Sequence, residues 1–201
     1  MARPREFDED AVLDKAVQCF WSRGYESTSV RDLINKTGLT GASLYNAFGD
    51  KRALYQRALD HYVNRSVVER IRRCDRLPPR EAIAAFFVDV VERSLNDRQH
   101  KGCMLVNTAL EVAPHDSGFQ EIVAGVLSQI ESFFYERLRA GQADGSIMVS
   151  TPPEVLAKHF LGVLIGVRVL ARVRPERELL EGAIAPALAL LDATGTTRAS
   201  F

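Results

Sequence analysis

Apolar positions recur with a helical period along almost the whole chain. Between residues 9 and 23, Val12, Leu13, Ala16, Val17 and Phe20 fall on one face of a helix. Asp8 stands where a cap belongs, Phe7 and Val12 where a hydrophobic staple closes, and Gly24 ends the run. Ser29-Val30-Arg31-Asp32 is a capping-box pattern opening a short helix over 30–37. Gly38 stops that helix, and Thr40 caps a second short one over about 41–47. A long helix is expected from Lys51 to about Cys74, another from Pro78-Pro79 to about Asn96, and a short one from Cys103 to Val112. Asp116 caps a long helix to about Ala140, a loop follows to Pro153, and two last helices cover 154–173 and 176–192. No apolar–polar alternation reaches convincing strand length, so the pattern predicts an all-α fold of about nine helices.

Composition narrows the classes. With 46% hydrophobic and 26% charged residues in 201, the chain is globular and not disordered. Its zero formal net charge excludes a uniformly basic coat and an acidic tail. Residues 1–74 nevertheless carry 13 basic and 10 acidic side chains, and the remainder 13 and 16. That change of sign implies two regions with different partners, divided here as 1–52 and 53–201. No apolar leader opens the sequence, and the run from Phe160 to Val167, halted by Arg168, is too short to span a bilayer. Cys19, Cys74 and Cys103 are too scattered for a disulfide scaffold or zinc knuckle. The expectation is a cytoplasmic protein without a membrane partner.

Residues 28–51 carry the chemistry. Two short helices joined through Gly38 make a helix-turn-helix, with Val30, Leu33, Ile34, Leu39, Leu44 and Phe48 spaced to pack against the first helix. Thr40, Gly41, Ala42, Ser43, Tyr45 and Asn46 are left outward, small or hydrogen-bonding side chains that suit entry into a major groove. Asn46 matches an adenine edge, Thr40 and Ser43 a phosphate or base, and Tyr45 a phosphate. Lys51, at the start of the next helix, can hold another phosphate. Thr28 and Arg31 complete the proposed contact set, and Arg3 and Arg5 are weaker additions from an N-terminal arm. A solvated polar helix face is the bland alternative for these residues.

These residues resemble the DNA-binding domain of the TetR/AcrR family of transcriptional regulators. The matching pieces are Ala16, Phe20, Gly24-Tyr25, Thr28-Ser29-Val30-Arg31-Asp32-Leu33, Thr37-Gly38-Leu39 and Ser43 through Lys51. Gly41 departs from a commoner basic or polar residue, and Asn46-Ala47 from a commoner His-aromatic pair, which alters the expected operator sequence. The resemblance implies a homodimeric repressor that occupies a palindromic double-stranded operator and leaves it when a small-molecule effector binds. A two-fold dimer must present its recognition helices about 34–36 Å apart, one turn of B-DNA. An effector favouring another spacing shifts the population away from the DNA-competent state, with the 51–74 helix as the lever.

The 154–173 segment is apolar around most of its circumference, as a helix needing more than one partner would be. Phe160, Gly162 and Gly166, with Leu180, Ile184 and Leu191 on the last helix, are the expected four-helix dimer interface; a monomer core is the alternative. Gly102-Cys103-Met104-Leu105-Val106-Asn107-Thr108 resembles a segment found in a subset of the family, some members of which sense electrophiles or oxidants through a cysteine. Cys103 begins a helix after Arg98, His100 and Lys101, a setting that favours a thiolate, yet the favoured reading is a small packing residue at a helix start. Asn107, Glu111, His159 and Arg168 are the remaining candidates for contact with an effector, as polar groups on apolar helices. Phe86, Phe87, Phe133 and Phe134 fit either a cavity wall or a packed core.

Two rivals come from other classes. His61, His100, His115 and His159 lack metal-ligand spacing, and neither a phosphate loop nor a Gly-x-Ser-x-Gly elbow occurs, so catalysis, a metal and a cofactor are not expected. A helical interaction protein without DNA binding is the other, separated by DNA retardation over a range of salt.

Overall fold

The computed structural model describes residues 7–192; Arg3 and Arg5 lie outside them. Among the described residues the regular elements are all helical, and the fold is all-α. In order they are α1 (Glu9–Arg23), α2 (Val30–Thr37), α3 (Gly41–Phe48), α4 (Lys51–Val63), α5 (Glu69–Cys74), α6 (Pro79–Leu95), α7 (Met104–Glu111), α8 (Ser117–Asp144), α9 (Pro153–Val173) and α10 (Arg177–Ala189). Caps form where the sequence places them. Asp8 accepts the amides of Asp10 and Ala11, and Asp116 those of Gly118 and Phe119.

Two boundaries differ from expectation. The 51–74 helix is interrupted by one π turn, Asn64–Val68, between α4 and α5. There the Ser66 hydroxyl donates to Tyr62 O at 2.6 Å and competes for a carbonyl of the preceding turn. The helix expected to stop near Ala140 runs on to Asp144. Gly141 sits so close to Ile147 that a Cβ there would be 2.5 Å from its Cδ1, so the bare backbone lets the chain fold back on the helix.

Contacts divide the chain into two units, Met1–Ser66 with Cys103–Val123, and Val67–Gly102 with Ala124–Phe201. In the first, Ala16 and Phe20 of α1, Leu33 of α2, Leu44 and Phe48 of α3 and Leu54, Ala58 and Leu59 of α4 form the core. Tyr55 extends it, its ring 4.8 Å from those of Phe20 and Tyr25 and 5.2 Å from Phe119.

In the second unit α6, α9 and α10 pack on one another. Phe134 lies at the centre, 5.1 to 5.7 Å from the rings of Phe86, Phe87, Phe133 and Phe160. The four phenylalanines left open between cavity and core therefore pack against one another. Arg70 is buried beside them, its guanidinium over Phe86 and its Nε donating to Asp89 at 2.6 Å. Burial alone would raise the Asp89 carboxyl, but Arg70 and Arg93 hold it below the ordinary value.

Candidate nucleic-acid interface

The turn that aims α3 is built from side-chain hydrogen bonds. The Asp32 amide donates to Ser29 Oγ at 3.1 Å, and the Ser29 amide donates to Asp32 Oδ2 at 3.0 Å, closing the capping box at the start of α2. Arg23 Nη1 meets the same carboxylate at 2.5 Å. The Ser29 hydrogen bonds, and then Arg23, draw the Asp32 pKa down. Gly38 leaves α2 with φ +79°, a left-handed conformation that a side chain would strain. The Leu39 amide then donates to Thr37 Oγ1, and Thr40 caps α3 by accepting the Ser43 amide at 3.1 Å.

Leu44 and Phe48 face inward, so the rest of α3 turns out. Thr40, Ala42, Ser43, Tyr45 and Asn46 are exposed and Gly41 is half-exposed, forming one continuous polar face of small side chains and one phenol. Arg31 is exposed on α2. Lys51, first in α4, is half-exposed; its ammonium lies 4.4 Å from the Tyr25 ring centre and donates to Glu26 O at 3.4 Å. Thr28 is corrected. Its side chain is 0% exposed and its hydroxyl donates to Gly24 O at 2.7 Å, so it ties the loop between α1 and α2 and presents nothing outward.

The remaining candidates disperse. Cys103 is buried just ahead of α7, its Sγ accepting the Tyr62 hydroxyl at 3.6 Å. Asn107 is half-buried, and Glu111 accepts the Glu26 amide at 3.0 Å. In the second unit His159 is exposed, whereas Arg168 is 8% exposed and its Nη1 donates to Ser94 Oγ at 3.4 Å.

The expected dimer residues are corrected in part. Phe160, Leu180, Ile184 and Leu191 are buried in the core of their own unit, where α9 and α10 meet α6. Gly162 and Gly166 are exposed, with no atom within 4 Å of a Cβ built on either. They share an outward stripe of α9 with Val155, His159, Val169 and Val173. The even apolarity of this helix concealed which side was interior. Sequence reasoning also missed Tyr25 and Glu26 as the platform under Lys51; no spacing rule links them, because the contact runs between separate segments.

A capped, glycine-turned helix pair with a polar outward second helix is the reading head of a helix-turn-helix DNA-binding regulator. Residues 12–58 match the bacterial regulatory proteins of the tetR family, and residues 79–186 match the tetracyclin repressor-like C-terminal domain. The uncharacterized HTH-type transcriptional regulator YezE of Bacillus subtilis (strain 168) is 30% identical over 196 residues, 96% of this chain and 100% of that protein. The HTH-type transcriptional repressor ComR of Escherichia coli (strain K12) is 28% identical over 172 residues, 85% of this chain and 82% of that one. A cysteine-substituted TetR family transcriptional regulator CifR, complexed with 26-bp double-strand operator DNA, superposes with a TM-score of 0.83 at 34% identity, covering 94% of this chain and 100% of the other. The chain belongs to the TetR family of transcriptional regulators. Among the described residues no helix is long and apolar enough to cross a membrane.

Proposed function

We propose that the protein is a cytoplasmic homodimeric repressor, without catalytic turnover, that binds a palindromic operator and is released by a small-molecule effector. One observation carries the reading: the outward face of α3 is made of Thr40, Gly41, Ala42, Ser43, Tyr45 and Asn46, small or hydrogen-bonding side chains with one phenol and no acidic group to repel a phosphate backbone. Asn46 reads a base, Thr40, Ser43 and Tyr45 hold phosphates or base edges, and Arg31 and Lys51 neutralise flanking phosphates. Residues 1–52 form the DNA-binding part, and residues 53–201 the part that takes the effector and dimerises.

The outward stripe of α9 supports dimerisation. Val155, His159, Gly162, Gly166, Val169 and Val173 alternate spacings of four and three, the seam of a helix that packs along a partner helix. A second copy would cover Val173, otherwise 75% exposed. Arg168 is the proposed effector anchor. Among the described residues no carboxylate pairs with it, so an acidic group on the effector would complete its hydrogen bonds. Burial of Cys103 favours the packing role over reactive sensing.

The test is selection of genomic fragments by the purified protein, followed by retardation over a range of salt. Retained fragments should share an inverted repeat and lose affinity steeply as salt rises. Asn46→Ala should change which bases are preferred, whereas Val169→Arg should leave a monomer in sedimentation. Failure to enrich any fragment would overturn the reading.

A further inference from the structure

The loop between α1 and α2 is gripped by a residue more than eighty positions away. Glu111, last in α7, accepts the Glu26 amide at 3.0 Å through Oε1. Its carboxylate lies so tightly over Gly24 that a Cβ there would stand 2.8 Å from either oxygen, and Gly24 has φ +84°. Opposite this amide, the Glu26 carbonyl accepts Lys51 Nζ at 3.4 Å, and the neighbouring Tyr25 ring underlies the same ammonium at 4.4 Å. Glu26 is thus held by α7 through its N–H and by α4 through its C=O. The α7 end of this chain of contacts is fixed in turn, because Thr108 Oγ1 meets Tyr55 OH at 2.8 Å.

We propose that Glu111 is a positioning residue for DNA binding: it sets the α1–α2 loop, and through Glu26 and Tyr25 the loop presents the Lys51 ammonium to a backbone phosphate. The inference rests on the reading of Lys51 as a phosphate contact. A lysine has four rotatable bonds, so an ammonium already parked on a fixed platform loses less freedom on binding than one sampling solvent. Without the carboxylate the Glu26 amide turns to water and the platform loosens. The sign is diagnostic. Removing an acidic group from a DNA-binding unit favours DNA by simple electrostatics, yet loss of the platform disfavours it.

The experiment measures affinity for a DNA fragment that the wild-type protein retains, so failure of the wider reading shows in the wild type and failure of this one in the variants. Glu111→Met keeps the length and removes the acceptor; it should weaken binding by about tenfold, the loss of one charge-assisted hydrogen bond's worth of ordering. Glu111→Gln keeps an acceptor oxygen and should bind at least as well as wild type. Lys51→Ala should weaken binding and lower the salt slope by about one. Adding Glu111→Met to Lys51→Ala should then cost little more, because both act through the same ammonium. Independent of DNA, hydrogen exchange of the Glu26 amide should speed up in Glu111→Met and not in Glu111→Gln. Wild-type affinity in Glu111→Met, full additivity with Lys51→Ala, or unchanged exchange at Glu26 would each overturn the proposal.

Discussion

The two units are held together by different physics. In the first, segments remote in sequence meet through directional polar contacts around a modest apolar core: Tyr55 with Thr108, Arg52 with Asp116, Glu111 with the Glu26 amide, and His61 and Arg65 with Asp14. In the second, the rings of Phe86, Phe87, Phe133, Phe134 and Phe160 fill the centre, and most ion pairs, such as Arg177 with Glu92 and Arg80 with Asp192, stay exposed. Hydrogen bonds weaken steeply with angle, whereas apolar contacts of similar volume can be rearranged. The first pattern fixes one placement of α1, α4, α7 and the start of α8 within that unit. The second tolerates rearrangement of side chains of similar volume.

The largest effect should come from the aromatic centre. Phe134 is fully buried and touches four other rings. Phe134→Ala should cost about 3–5 kcal/mol of unfolding free energy in a urea titration, while Phe134→Leu should cost markedly less. Equal losses for the two would mean that ring volume is not what fills this core, and the contrast between the units would fall.

Removing one directional contact should cost less. The Thr108 hydroxyl donates to Met104 O at 2.8 Å, which leaves the Tyr55 hydroxyl as donor in the buried pair at 2.8 Å. Burial pushes the Tyr55 phenol up to about 12, against the lowering effect of Thr108, so it stays protonated over the working pH range. Tyr55→Phe should therefore lower stability by about 1 kcal/mol, without pH dependence near neutrality. A loss several times larger would show that the first unit depends on single hydrogen bonds more than its shared network implies.

These contacts also mark what sequence could and could not convey. Asp8, Ser29, Thr40 and Asp116 cap the helices that follow them because capping is local, written within three or four residues. The outward polar face of α3 was legible for the same reason: Leu44 and Phe48 fix which side is interior. Long-range partners were not legible. Nothing near Glu111 names Glu26, and Thr28 reads as a surface threonine until the fold closes over it. Nor could periodicity choose a face of α9, apolar on nearly every side; Phe160 went inward and Gly162 outward by packing against α6 and α10.

The smallest effect belongs to a solvent-open directional contact, and its pH dependence gives it a signature. Asp116 takes both Arg52 Nε at 2.7 Å and Nη2 at 2.8 Å while capping α8. The Arg52 hydrogen bonds, helped by the Phe119 and Gly118 amides, lower its pKa from 3.8 to about 2. A carboxyl depressed in the folded state contributes stability that is fully present above its unfolded pKa and vanishes as pH falls through the folded one. Asp116→Asn keeps the cap, since asparagine accepts the same amides, and removes only the charge. Its melting temperature should thus lie slightly below wild type at neutral pH, and the two should converge as pH falls from about 4 to about 2. High salt should shrink the neutral-pH gap, because the pair is open to solvent. A gap that persists unchanged to acid pH would assign the loss to capping geometry instead, and would remove this ion pair from the contacts that set the first unit apart.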